Sequence, residues 1–167
     1  MQEPILEPDL PIIDPHHHLW DRTAILAQLP EPGHDFERLL QLSPRYLLDE
    51  LLADMRSGHN VIATVYMECG AMYRASGPAA LKPVGETEFV NGFAAICASN
   101  VYVPVRACAG IVGHVDLTQG DGCKAVLEAH VMAGGGRFRG IRHSASFDPD
   151  PAVLGPLART PADRKST

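Results

Sequence analysis

The feature that most constrains the fold is a regular alternation of short apolar runs with amphipathic segments. The apolar runs lie at 10–13, 61–67, 103–112 and 138–142. The segments between them repeat apolar side chains at helical spacing, over about 43–58, 86–99 and 121–133. Because strands alternate with helices, we expect an α/β fold of parallel strands joined by right-handed crossover helices.

The segment before the second apolar run has the clearest predicted boundaries. Ser43 is a suitable N-cap, Pro44 fits the first helical position, and Gly58 can end the helix. One stripe of this helix carries Leu48, Leu51, Leu52 and Met55. The run Val61–Met67 is apolar throughout, which is typical of a strand covered on both faces.

Two parts of the chain lack such patterns. Residues 21–42 contain Pro30, Pro32 and Gly33, and we expect an excursion outside the core. Prolines recur in quick succession after Asp148, where no helix pattern and no fifth strand follow. We therefore predict a folded domain over 1–148 and an irregular, Pro-rich tail over 149–167.

Composition predicts which partners the protein lacks and in which compartment it resides. The 14 basic and 20 acidic residues give a formal net charge of −6, so we expect neither a nucleic acid nor a membrane partner. Residues 1–11 carry no basic side chain and are not a secretory signal, which predicts a cytoplasmic protein. The four cysteines form no CxxC pair, and we expect reduced thiols in a core.

Three consecutive histidines stand where the first apolar run ends. In an extended segment alternate side chains share a face, so His16 and His18 should point one way and His17 the other. Two imidazoles on one face make half of a metal site or a polar floor for a substrate. A solvated, polar strand end is the alternative.

Three stretches resemble one enzyme family. The stretch IIDPHHHLWD (12–21) resembles the opening strand of the amidohydrolase superfamily. It is most similar to the amidohydrolase-related (amidohydrolase 2) lactonase branch, whose first strand reads D-x-H-x-H-x-W. The stretches VYMECG (65–70) and RGIRH (139–143) resemble the same branch, so that the resemblance covers about 11–150.

The resemblance implies a (β/α)8 TIM barrel with its active site at the carboxyl ends of the strands. Because a complete barrel needs about 200 residues or more, we expect this chain to be the first half of one, from a truncated or frame-shifted product. Members hydrolyse lactones, amides and related bonds, and some are decarboxylases or hydratases. Many use one divalent metal, often zinc, whereas some of the lactonase branch use none.

The resemblance assigns His16 and His18 to the metal and to catalysis. A zinc ion lowers the pKa of a bound water to about 7, giving a hydroxide that attacks a carbonyl. A catalytic zinc takes three protein ligands, and in the family the others come from later strands that have no match here. Glu68, directly after the second run, is a candidate ligand or base, with a solvated strand-end carboxylate or a helix-cap partner as the alternative.

Further side chains are candidates for binding substrate. Arg142 can meet a substrate carboxylate with its guanidinium fork, or make an ion pair between strands. His143 follows it. Tyr73 lies in the long loop after the second run, where recognition groups or plain solvated residues occur. Trp20 either walls an apolar pocket or is a buried aromatic whose N–H is bonded.

The sequence thus predicts a hydrolase acting on a lactone, amide or related bond of a small carboxylated substrate, with zinc or without metal. The alternative is an inactive fragment that binds a metal or a small acid weakly. Open edges of a half-barrel would favour a homodimer. A more distant hypothesis is a flavodoxin-like sheet that binds a ligand at a strand-order switch point.

Overall fold

The computed structural model describes residues 4–28, 31–32, 34–101, 103–144, 148 and 150–154. The strands are β1 (Ile12–His17), β2 (Trp20–Asp21), β3 (Arg45–Tyr46), β4 (Val61–Met67), β5 (Arg106–Gly113) and β6 (Phe138–Ile141). The helices are α1 (Thr23–Leu26), α2 (Asp35–Leu42), α3 (Leu48–Met55), α4 (Val84–Ala98), α5 (Cys123–Ala133) and α6 (Pro151–Leu154). Short 3-10 turns cover Ala79–Leu81 and Leu117–Gly122.

The main sheet is parallel and its strands follow the order of the chain. β1, β4, β5 and β6 are neighbours in that order, whereas β2 and β3 form a separate antiparallel pair. The predicted α/β class with a parallel sheet is confirmed. β4 has the predicted bounds, and β1 continues past the apolar run into the histidines.

Helices cover one face of this sheet. Tyr66 of β4 and Ile111 of β5 are paired in register and fully buried. They pack in one cluster with α3 and α4, represented by Leu51 and Val90. A second cluster joins α4 to α5. The helical stripes therefore bury the face that carries Tyr66 and Ile111.

The opposite face is partly exposed. Ile13 pairs with Ala63, one position away from the buried Thr64, and is 59% exposed. Val65 and Met67 follow at alternate positions of β4 and are half-buried. The expectation that β4 is covered on both faces is therefore wrong for the described residues, because its two faces differ in burial.

The predicted start of α3 is wrong. The helix begins at Leu48, and Ser43 and Pro44 lie outside it. The Ser43 carbonyl instead accepts a hydrogen bond from Trp20 Nε1 at 2.8 Å. Glu50 stabilises the real N-terminus, since its carboxylate accepts the Leu47 N–H at 2.9 Å.

The regions outside the repeating pattern contribute few buried residues. α1 and α2 contain no buried residue, which confirms that the described part of 21–42 stays outside the core. α6 is a single turn where no helix was predicted. The rest of the predicted tail, position 149 and 155–167, lies outside the described residues. Within the described residues no helix has the length and apolar character needed to cross a bilayer.

Candidate functional site

Polar side chains from all four parallel strands meet at one edge of the sheet. His16 and His18 stand at the end of β1, Glu68 directly after β4, His114 after β5 and Arg142 after β6. Carboxyl ends of parallel strands share an edge, which is where open and closed α/β sheets bind ligands. We take this edge as the candidate site.

The two outer histidines of the triplet converge. His16 Nε2 and His18 Nε2 are 3.2 Å apart, and their rings meet edge to face. His17 is buried on the opposite side, where its Nε2 lies 2.8 Å from Thr64 Oγ1. The prediction that His16 and His18 share a face opposite His17 is confirmed.

The backbone of β4 selects the tautomer of His18. His18 Nδ1 lies 2.8 Å from the Met67 carbonyl, to which it can only donate a hydrogen bond. In the neutral ring Nε2 therefore carries the lone pair and accepts from His16 Nε2. Burial lowers the pKa of His18, which favours this neutral form.

The histidine pair fits two positions of a metal site. Two ligands of a tetrahedral zinc with ordinary bond lengths stand about 3.3 Å apart, close to the observed separation of the two Nε2 atoms. A ring N–H donated to a backbone carbonyl is also the usual support of a metal-binding histidine. Within the described residues, however, no three His, Cys, Asp or Glu side chains group as a metal site.

Glu68 and Arg142 form an ion pair across the end of β5. Arg142 Nε donates to Glu68 Oε1 at 2.7 Å, and Arg142 Nη2 donates to the Glu68 carbonyl. The backbone N–H groups of both residues bond to β5, to Val112 and Gly113 respectively. The alternative of an ion pair between strands is therefore realised, and the Arg142 side chain is 40% exposed.

The histidines after β5 and β6 form hydrogen bonds with backbone groups. His114 Nδ1 lies 3.1 Å from the Arg142 carbonyl, and thus holds the segment that carries Arg142. His143 Nδ1 accepts the Leu117 N–H at 2.8 Å, and its side chain is 6% exposed. His143, a predicted substrate-binding residue, thus caps the 3-10 turn Leu117–Gly122, which precedes it in the chain.

The two predicted aromatic residues differ in their surroundings. Trp20 Nε1 donates to the Ser43 carbonyl, its ring stacks on Tyr46 with centroids 5.3 Å apart, and Arg22 Cζ lies 6.0 Å from the ring centre. Trp20 is therefore half-buried with its N–H bonded, and part of its ring stays accessible. Tyr73 is 38% exposed in the loop after β4.

Sequence reasoning missed two buried polar residues near this edge. His130 has no partner motif in the sequence, but it is fully buried between Thr87 Oγ1 (2.8 Å) and the His114 carbonyl (3.0 Å). Glu86 is also buried, in the first turn of α4. Their positions in the sequence could have predicted their burial, because each stands in the apolar stripe of its helix.

Comparison with known proteins identified a longer relative. A curated protein of Sinorhizobium fredii, named Uncharacterized protein y4mH, is 31% identical over 147 residues. The match covers 86% of this chain and 43% of the relative, so the chain spans less than half of the relative's length. No protein-family model matches the chain, and no solved structure matches it.

Proposed function

We propose that the chain carries part of the active site of an amidohydrolase-type enzyme that hydrolyses a lactone, amide or related bond. The observation that carries this proposal is the histidine pair: two Nε2 atoms 3.2 Å apart, with His18 oriented by the Met67 carbonyl. The D-x-H-x-H-x-W resemblance around it points to the same chemistry.

The strand order supports a half-barrel. Neighbouring parallel strands in chain order, with helices packed on one face, are the arrangement of a (β/α)8 barrel. A doubly wound sheet reverses its order at a switch point, and the described strands contain no such reversal. We propose that 1–148 corresponds to the first half of a barrel.

In this proposal the histidines hold the reacting water. His16 and His18 would bind a divalent metal, such as zinc, through their Nε2 atoms. The bound ion would lower the pKa of a water and make it nucleophilic. Without metal, neutral His18 has a free Nε2 lone pair once His16 turns away, and this nitrogen accepts a proton from water.

Arg142 and Glu68 would orient the substrate. The exposed part of the Arg142 guanidinium is a suitable partner for a carboxylate of a small substrate. Glu68 fixes that guanidinium through the Nε bond, so its role is to orient Arg142 rather than to bind metal. Tyr73 and Trp20 are proposed as walls of the substrate region, and His143 supports the turn beside it.

The second candidate function is a non-catalytic fragment that binds a metal or small acid weakly. The observation that favours it is the ligand count, since no group of three metal ligands occurs among the described residues. A homodimer through the open sheet edges is proposed as the partner state in either case.

Metal content tests the histidine assignment. We expect purified protein to bind zinc at a Kd that rises at least about tenfold in His16→Ala and in His18→Ala, since each removes one of two ligands. The control is His59→Ala, which alters an exposed histidine away from the site and should bind zinc as wild type does. Equal zinc binding by all four proteins would refute the assignment.

Hydrolysis separates the two functions. The zinc-supplemented and metal-free proteins are assayed against a panel of carboxylated lactones and amides. Turnover that is lost in His18→Ala and kept in His59→Ala supports the enzyme. Zinc binding without turnover of any panel member supports the fragment that only binds.

A further inference from the structure

A buried carboxyl group organises the loop that follows β4. Glu86 is 1% exposed, and its Oε1 accepts three hydrogen bonds. The donors are Tyr66 Oη at 2.7 Å, Cys69 N at 2.9 Å and Ala71 N at 3.1 Å. Its other oxygen, Oε2, is buried and has no hydrogen-bond partner in the described part of the chain.

Burial of an unpaired oxygen favours the neutral form of this carboxyl. A carboxylate spreads its charge over both oxygens, and a charged oxygen buried without a donor costs more than a neutral hydroxyl buried without an acceptor. Burial raises the pKa of Glu86, and the nearby Glu68 carboxylate raises it further, whereas the hydrogen bonds from Tyr66, Cys69 and Ala71 act in the opposite direction. Burial is the largest of these effects, and the pKa of Glu86 is raised.

The backbone at 68–69 links Glu86 to the candidate site. Cys69 donates its N–H to Glu86, while its carbonyl accepts from Arg22 Nη2 at 3.0 Å. The preceding residue, Glu68, is bonded through its own N–H to Val112 of β5. The backbone around Glu68 is therefore held from α4, from β5 and from the segment after β2.

We propose that Glu86 is a positioning residue of the candidate site. As a neutral acid it holds the backbone of 69–71, and through it sets the Glu68 carboxylate against Arg142. The inference rests on the proposed function only in treating the Glu68–Arg142 pair as part of the site. Its test needs neither metal nor substrate, so it can fail or succeed independently of hydrolysis or zinc binding.

Amide hydrogen exchange in three variants tests the positioning role. Glu86→Leu removes the acceptor, and we expect Cys69 and Ala71 to exchange about tenfold faster. Glu86→Gln keeps an oxygen acceptor and should restore both rates to within about twofold of wild type. Val90→Ala, at a fully buried site on the same helix, controls for general destabilisation.

The Arg142 Nε–H signal reports whether the effect reaches the site. We expect this NMR signal to shift or broaden in Glu86→Leu and to stay in place in Glu86→Gln and Val90→Ala. Unchanged exchange in Glu86→Leu, or an equal shift in Val90→Ala, overturns the positioning role. If Glu86→Leu does not fold, the smaller Glu86→Ala, which also removes the acceptor of the Cys69 and Ala71 N–H groups, replaces it with the same two readouts.

Infrared spectroscopy tests the protonation state. At neutral pH we expect a carboxylic acid C=O band that disappears in Glu86→Gln and persists in Glu68→Gln. A wild-type spectrum without that band, or a band that survives Glu86→Gln, overturns the neutral-acid assignment.

Discussion

For His17 and His18, burial affects the pKa more than the charges of neighbouring residues do. His17 is 8% exposed beside Thr64 and Cys108, and burial lowers its pKa to about 4. It is therefore neutral in the folded protein at pH values where an unfolded chain would protonate it. Burial also lowers the pKa of His18 on the other face, where its Nε2 lies 3.2 Å from His16 Nε2.

The depressed pKa of His17 predicts a pH dependence of stability. Between its unfolded value of 6.5 and its folded value of about 4, the unfolded state binds the extra proton. Stability should therefore be complete above about pH 6.5 and fall as the pH drops towards 4, by up to about 3 kcal/mol.

Urea unfolding of wild type and His17→Gln at about pH 7 and about pH 4.5 measures this contribution. Glutamine does not titrate and can still bond to Thr64, so we expect the variant to lose about 2–3 kcal/mol less than wild type on acidification. His18 and His130 titrate in both proteins and cancel. Parallel losses in the two proteins would show that His17 is not the group responsible.

At the scale of elements, contacts across β5 hold the site edge together. Glu68 after β4 reaches Arg142 after β6, with β5 between them. Under the sheet, α4 and α5 meet through the bond from Thr87 to His130. The ring of His130 in turn lies against Gly113, the last residue of β5, so that this glycine sets how closely α5 approaches the sheet.

Gly113 is predicted to be intolerant of any side chain. A Cβ at this position would stand 2.9 Å from the His130 ring and 3.2 Å from Thr87 Oγ1. Because His130 is fully buried, its ring cannot move aside, and we expect Gly113→Ala to cost about 1–3 kcal/mol.

Gly140→Ala in β6 is the matched control. A Cβ there would meet no atom within 4 Å, so the free energy of unfolding should change by less than about 0.5 kcal/mol. Chemical unfolding of both variants gives the comparison. A Gly113→Ala protein as stable as Gly140→Ala would mean that α5 does not pack as closely as described.

At the scale of the whole molecule, the sheet has one covered face and one partly exposed face. β1 and β6 each have one neighbour among the described strands. Exposed apolar residues such as Ile13 of β1 lie on the face of the sheet that the helices do not cover. Unpaired strand edges next to apolar surface favour association between chains.

We therefore expect self-association that depends on the β1 edge. Ile13→Lys places a charge at that edge and should shift sedimentation towards the monomer. Leu42→Lys is the control, because Leu42 is 82% exposed on α2 and should leave association unchanged. A wild-type protein that sediments as a monomer at all concentrations, or equal effects of both variants, would contradict this.

The sequence alone predicted the features that depend on local backbone geometry. The order of the four main-sheet strands and the three helices between them followed from periodicity, and β4 was predicted to the residue. The shared face of His16 and His18 followed from the two-residue repeat of a strand. Each of these depends on residues within a few positions of one another, which a pattern can describe.

Only the tertiary structure decided which distant groups meet. Sequence left Arg142 open between an ion pair and a ligand fork, and the crossover that brings it to Glu68, 74 positions away, selected the ion pair. Ser43 is not the predicted N-cap, because the chain after it pairs as β3 with β2 before the helix begins at Leu48. Glu86 accepts from Tyr66 of β4 and from two backbone N–H groups of the loop after it, all brought to α4 by the tertiary fold. Hydrogen-bond partners are set by packing in three dimensions, and neither spacing nor propensity contains that information.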